Sequence, residues 1–168
     1  MEIRIAGIVE ESTVDGPGIR YTVFTQGCLH NCFGCHNPKT HPLNGGHTIE
    51  IDAIISNIKK DPLINGLTIS GGEPFLQIKE ILDLSKKAKE IGKNIIIYTG
   101  YTYEQLVSLN NDDIFDILKI ADYLVDGKFE IEKKSYTLLF KGSSNQRIID
   151  LKKTLKEGII LEKDFSIY

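Results

Sequence analysis

Gly66-Leu67-Thr68-Ile69-Ser70-Gly71-Gly72-Glu73-Pro74 is a short apolar, β-branched run that stops at two glycines and a proline. That composition describes a buried strand delivered into a tight turn. Helical patterns flank it on both sides. Upstream, Ile51, Ile54, Ile55 and Ile58 share one helical face; downstream, Ile78, Ile81, Leu82, Ser85, Ala88 and Ile91 share another, which Gly92 ends. Lys93 to Tyr98 is the next strand, and Thr102-x-x-Gln105 has the form of a capping box opening a short helix. Asn111 or Asp112 caps a helix running to about Ile120, and Tyr123-Leu124-Val125 is a strand with Asp126 and Lys128 at its end.

Towards the N-terminus, Ile3, Ile5 and Gly7 alternate with charged residues at the period of a half-buried strand. Tyr21 to Thr25 is a β-branched and aromatic strand that leads into a loop from Gly27 to His47, rich in proline, glycine and asparagine. The tail from Arg147 is ambiguous: Ile148-Ile149 suits a strand, and Leu151 to Leu155 a strand or a helix. Alternating strands and helices, with apolar strands, predict an α/β fold with a parallel sheet and helices packed outside. The 168 residues fit a single domain, 1–168. About five or six strands are too few for a closed eight-stranded barrel of roughly 250 residues, so a partial, open parallel β/α barrel is expected. Ligands in such sheets sit at the carboxyl ends of strands. Four polar groups fall there: the 27–47 loop, Gly71 to Pro74, Thr99-Gly100, and Asp126-Gly127-Lys128.

The first of these carries every cysteine of the chain, as Cys28-x-x-x-Cys32-x-x-Cys35. Three closely spaced thiolates on a loop are one ligand short of the four that usually hold an iron–sulfur cluster, which leaves a coordination position open. A disulfide framework would want an even count and a secreted context, whereas the opening Met1 to Ala6 lacks the apolar core of a signal peptide. Structural zinc remains an alternative, with His30, His36, His41 or His47 as the fourth ligand.

Composition bounds the remaining classes. The chain is 41% hydrophobic and 26% charged, an ordinary globular balance, and its net charge of −3 gives no reason to expect nucleic acid or an anionic membrane as partner. No apolar run approaches the roughly 20 residues that span a bilayer. Free thiolates suit a reducing cytoplasm.

The cysteine spacing together with Ser70-Gly71-Gly72-Glu73-Pro74 resembles the radical S-adenosylmethionine superfamily. Asp15-Gly16-Pro17-Gly18-Ile19-Arg20, Gly34-Cys35-His36-Asn37-Pro38, Tyr98-Thr99-Gly100-Tyr101 and Gly142 to Arg147 narrow the resemblance to the activating proteins of anaerobic ribonucleotide reductase, a family of glycyl-radical activases. The resemblance implies a radical S-adenosylmethionine oxidoreductase. In it Cys28, Cys32 and Cys35 hold three irons of a 4Fe–4S cluster, and the fourth iron is chelated by S-adenosylmethionine. Reductive cleavage then yields a 5′-deoxyadenosyl radical, which takes hydrogen from a glycine of the reductase catalytic subunit. An external one-electron donor such as flavodoxin or ferredoxin is implied too.

The same resemblance assigns roles by position. Gly71 and Gly72 admit the ligand to the backbone, Glu73 accepts from the methionyl ammonium, and Pro74 stiffens the turn. Gly34 stands where many relatives carry an aromatic residue, leaving backbone contact there. His36 is a cofactor-binding candidate beside a loop-packing alternative, and Asn37 is placed near the adenosyl portion. Thr99 stands where related activases often carry an acid. Asp126 and Lys128, two apart and expected on one strand face, are assigned ribose and methionyl carboxylate. Arg20 and Arg147 either face a partner or satisfy loop carbonyls. Two other functions compete: a further small radical enzyme, either a pyruvate formate-lyase activase or an enzyme of deazapurine synthesis, and a non-catalytic iron–sulfur electron-transfer module.

Overall fold

The computed structural model describes residues 1–166. Its strands are β1 (Glu2–Ser12), β2 (Arg20–Thr25), β3 (His47–Glu50), β4 (Gly66–Gly71), β5 (Asn94–Tyr98), β6 (Tyr123–Asp126) and β7 (Arg147–Asp150). They form one open sheet in the order β3-β1-β2-β4-β5-β6-β7. The four central strands β2, β4, β5 and β6 run parallel, and β1, β3 and β7 join antiparallel. The open α/β sheet is therefore as expected, with seven strands rather than five or six. The additional strand β3 emerges from the end of the cysteine loop, where four mostly exposed residues carry too little apolar pattern to announce a strand. The ambiguous tail resolves into β7 and the helix α5 (Leu151–Glu157), which Asp150 caps by accepting from Lys153 N.

Helices α1 (Ile51–Lys60), α2 (Ile78–Glu90), α3 (Tyr103–Ser108) and α4 (Asp112–Ile120) complete the fold. The Thr102–Gln105 capping box forms, and Asn111 caps α4. All five helices contribute to one isoleucine-rich core on one face of the sheet, against Val23, Leu67, Ile69, Ile95, Ile97 and Leu124. Each such side chain removed from water contributes on the order of 1.5–3 kcal/mol. By strand alternation, Phe24, Ser70, Ile96, Tyr98 and Val125 point to the opposite, inner face. The helices cover one side and the chemistry is left to the other. Among the described residues no helix is long and apolar enough to cross a membrane.

Two buried charges fix the sheet. Arg20 is fully buried and, among the described residues, pairs with no carboxylate. Its guanidinium donates instead to Thr68 Oγ1 at 2.6 Å, Asn94 Oδ1 at 2.7 Å and Leu67 O at 2.8 Å. Burial lowers its pKa to about 10. Of the two roles left open by the sequence, Arg20 satisfies carbonyls and hydroxyls inside the fold. Asp122, beneath β5, accepts from Ile95 N at 2.8 Å, Lys89 Nζ at 2.5 Å and Lys152 Nζ at 2.9 Å. Burial alone would raise its carboxyl, but the hydrogen bonds from Lys89, Lys152 and Ile95 outweigh it and hold the pKa below the ordinary value. Stability from this group is thus present above the unfolded carboxylate pKa and is lost as pH falls through the folded one. Asp122→Asn is expected to cost about 1–3 kcal/mol at neutral pH. In urea titrations the variant and parent should converge as pH drops below about 3.9, the unfolded value.

Candidate functional site

Parallel register brings the carboxyl ends of the central strands level, with Thr25 beside Gly71 and Tyr98 beside Val125. A cavity of about 240 Å³ opens above them. Cys28, Cys32 and Cys35 all line it, joined by His36, Asn37, Gly71, Gly72 and Thr99 from the residues expected at a site. Four strand-end segments far apart in sequence thus meet around three thiols.

The cysteine loop is held by its own backbone. Gly27 N donates to Thr40 O at 2.7 Å and Cys28 N to His41 O at 3.1 Å, while Gln26 Nε2 donates to Pro42 O at 2.7 Å. The Gly71–Gly72 turn docks beneath it, with Gly72 N donating to Thr25 O at 2.8 Å and Glu73 N to Gly27 O at 2.7 Å. A Cβ on Gly72 would run into the Gly27 carbonyl, and one on Gly71 would stand 2.5 Å from Thr25 N. These two positions must be glycine for the two loops to touch.

Glu73 lies behind the cavity wall and does not line it. Its carboxylate is 1% exposed and carries four donors. Oε1 accepts from Phe75 N at 3.0 Å and Thr99 Oγ1 at 2.8 Å; Oε2 accepts from Gly100 N at 2.9 Å and lies 2.5 Å from His30 Nε2. A carboxylate has about four lone-pair sites, so Glu73 is saturated. His30, midway between Cys28 and Cys32, is thereby fastened to the β4 and β5 loops, and its ring also meets Tyr101 edge-on at 4.7 Å. The sequence pointed to His30 only as a zinc ligand; its place inside the cysteine motif was the available signal. Tyr98, Phe129 and Gln146 also line the cavity and were not anticipated individually.

Four further expected residues stand off the cavity wall. Pro74 is buried at the start of a single 3₁₀ turn, Pro74–Leu76. Gly34 is exposed, adopts φ 71° and lies against Ile131, whose Cδ1 would stand 2.5 Å from an added Cβ. The shared face expected of Asp126 and Lys128 is not formed. β6 ends at Asp126, and Gly127, at φ 96°, turns the chain so that Lys128 is exposed while Asp126 is buried. The Asp126 carboxylate is engaged by Arg147, with Nη2 at 2.6 Å, and by Tyr103 N at 2.7 Å. Arg147 also grips Glu104 at 2.7 Å, and hydrogen bonds from Asp126 and Glu104 raise its pKa. Arg147 therefore ties β7 to β6 and α3.

The donor set fits an iron–sulfur cluster. All three cysteines are free and half-buried. Burial pushes the Cys28 and Cys32 thiols up, so metal binding must displace their protons. Among the described residues no three His, Cys, Asp or Glu side chains converge as a single ion would require. His30 is engaged by Glu73, and His36 packs on Phe129 with ring centroids 4.6 Å apart. A three-cysteine, one-histidine zinc site is not assembled, whereas soft thiolates spaced around a cavity suit separate irons.

An open α/β sheet with three thiols at its carboxyl edge defines an iron–sulfur protein, and a family model described as "4Fe-4S single cluster domain" matches residues 14–149. The anaerobic ribonucleoside-triphosphate reductase-activating protein of Vibrio cholerae is 39% identical over 143 residues, covering 80% of this chain and 90% of that one. Its counterpart in Escherichia coli K12 is 36% identical over 83% of this chain and 93% of that one, and that of phage T4 is 35% identical over 80% and 86%. The chain belongs to the family of anaerobic ribonucleoside-triphosphate reductase-activating proteins. The solved crystal structure of QueE from Escherichia coli overlaps 61% of this chain and 54% of that one, with a TM-score of 0.49 and 18% identity.

Proposed function

We propose that this protein activates an anaerobic ribonucleotide reductase by generating a glycyl radical on its catalytic subunit. The observation that carries this is the trio of free cysteines around one cavity at the strand ends, in a chain whose relatives bear that reductase's name. Cys28, Cys32 and Cys35 would hold a 4Fe–4S cluster with one iron left open for S-adenosylmethionine. When bound, the cluster would supply one electron for cleaving the sulfonium of S-adenosylmethionine, chemistry that would yield an adenosyl fragment able to take a hydrogen atom from the partner's glycine.

The chain's own residues then have three tasks. Gly71 and Gly72 offer bare backbone to the methionyl portion, next to the thiols. Glu73 fixes the spacing between the cysteine loop and the β4 and β5 loops through His30, Thr99 and Gly100. Asn37, Tyr98 and Thr99 also line the cavity, and we assign them to the nucleoside. The electron comes from an external one-electron donor such as flavodoxin or ferredoxin, and the protein works in the cytoplasm, where thiols stay reduced.

The test is anaerobic reconstitution with iron and sulfide, followed by reduction with S-adenosylmethionine present. 5′-Deoxyadenosine should form, and adding the reductase should produce a glycyl radical by electron spin resonance. Deoxyadenosine with no radical on a competent reductase would point to another radical enzyme. A protein that binds iron but leaves the sulfonium intact would be an electron-transfer module.

A further inference from the structure

Between β6 and β7 the chain leaves the sheet as residues 127–146 and walls one side of the thiol cavity with Gly127, Phe129, Gly142 and Gln146. The base of this segment is clamped: Gln146 Nε2 donates to Gly127 O at 3.0 Å and Asn145 Nδ2 to Lys128 O at 2.8 Å. Farther out it bonds to itself, with Lys134 N donating to Ile131 O at 3.2 Å and Gly142 N to Gln146 Oε1 at 2.8 Å. Among the described residues, one hydrogen bond joins residues 131–142 to any part of the chain outside the segment. It is donated by the Tyr98 hydroxyl, at the end of β5, to Phe140 O at 2.6 Å.

The accepting residue holds a backbone conformation that its side chain disfavours. Phe140 has φ 63°, in the left-handed region, where the other non-glycine residues are Asn31 and Asn110. Asparagine tolerates that region, whereas a bulky aromatic residue is an outlier there and persists only where its surroundings impose it. Those surroundings are the Tyr98 hydroxyl and the ring of Phe165, whose centroid lies 5.6 Å from that of Phe140. Such strain collects where a segment must keep one position. Here the position governs an opening. A groove of about 300 Å³ runs beside Phe140 and meets the thiol cavity at Asp15, His36, Tyr98 and Gly142. The Tyr98 ring lines both spaces, while its hydroxyl is taken up by the wall.

We propose that Tyr98 is a positioning residue for hydrogen transfer, its hydroxyl holding residues 134–142 as the wall that keeps competing hydrogen donors out of the cavity. This rests on the function proposed above. Hydrogen passes to the adenosyl fragment from whichever donor reaches it. One bond to hydrogen breaks in the donor, one forms on the fragment, and the unpaired electron stays with the donor. When the donor is the partner's glycine, the radical is kept on the reductase; when it is a small buffer or reductant molecule, the radical is lost. 5′-Deoxyadenosine is the product in both cases, so the wall sets how much of it is matched by glycyl radical. Preventing such side reactions is a task of a closed site.

Tyr98→Phe keeps the ring against the cavity and deletes the hydroxyl. With reconstituted protein and reductase, the 5′-deoxyadenosine formed per glycyl radical should rise about tenfold, the shift expected when a hydrogen bond and the strain it restrains are released. Hydrogen exchange read by mass spectrometry, without S-adenosylmethionine, gives a second reading independent of turnover. Peptides covering residues 134–143, in which the Lys134, Gly142 and Ser143 amides are hydrogen-bonded, should exchange about tenfold faster in the variant. An unchanged ratio overturns the proposal. A fallen radical yield with unchanged exchange also overturns it, because the hydroxyl would then take part directly. Phe165→Ala loosens the same segment from outside the cavity and should raise both readings. Faster exchange at the parent's ratio in that variant would show that the wall does not govern transfer, which again overturns the proposal. If the unaltered protein makes no radical on a competent reductase, the functional assignment falls and this role falls with it; a parent that makes the radical at the Tyr98→Phe ratio removes this role alone.

Discussion

Cys32→Ala is expected to yield a folded, colourless protein that binds no cluster and forms no 5′-deoxyadenosine. Iron–sulfur clusters are normally held by four thiolates, and this chain offers three. With one position already left open, neither histidine beside the cysteines is free to replace a thiolate: His30 is held by Glu73, and His36 packs against Phe129. The loss should be complete rather than graded, because a cluster anchored through two irons is released on reduction or dilution. The fold should survive, since Cys32 is half-buried and outside the main core. Iron and sulfide content, visible absorption and far-UV circular dichroism separate these outcomes. A Cys32→Ala protein that remains brown and cleaves S-adenosylmethionine would remove Cys32 from the ligand set.

The central sheet and the helix faces were legible because burial on both faces writes itself into composition. Gly66 to Ser70 and Lys93 to Tyr98 are apolar almost without interruption, and β4 and β5 lie within or across those bounds. The capping box at Thr102 and the cap at Asn111 were equally readable, since each is a local contract between side chain and backbone. β3 was not, because its pairing with β1 is a tertiary fact imposed on an exposed tetrapeptide. At the site, the cysteines and Gly71-Gly72 could be placed from residue type and spacing. Asp126 and Lys128 could not: extending the strand by two residues put both on one face, and Gly127 breaks the alternation. Arg147, 21 residues from Asp126 in sequence, claims that carboxylate through a strand pairing that no local pattern announces. Glu73 illustrates the general difficulty. Its residue type and position were right for a site, but whether a carboxylate faces a ligand or its own loops depends on donors contributed by two distant segments, at His30 and at Thr99-Gly100.

That dependence makes Glu73→Gln the second large effect expected. The substitution keeps size and shape but exchanges one acceptor oxygen for a donor. If the new amide nitrogen faces His30 and Gly100, the imidazole can present its unprotonated Nε2, yet Gly100 N–H is left facing a donor. If it faces Thr99 and Phe75, the hydroxyl can rotate to accept, yet Phe75 N–H is left instead. Either way one buried backbone donor loses its partner, at a cost of about 1–3 kcal/mol. The strain falls on the contact between Gly72 and the cysteine loop, not on the thiols, which make no hydrogen bond to Glu73. Reconstituted Glu73→Gln should therefore carry full iron and sulfide but bind S-adenosylmethionine about tenfold or more weakly, the equivalent of roughly 1.4 kcal/mol or above. Anaerobic binding isotherms beside iron analysis read the two quantities separately. Unchanged cofactor affinity would show that the four-donor carboxylate is idle at the site, and loss of the cluster itself would show that Glu73 governs the metal rather than the ligand beside it.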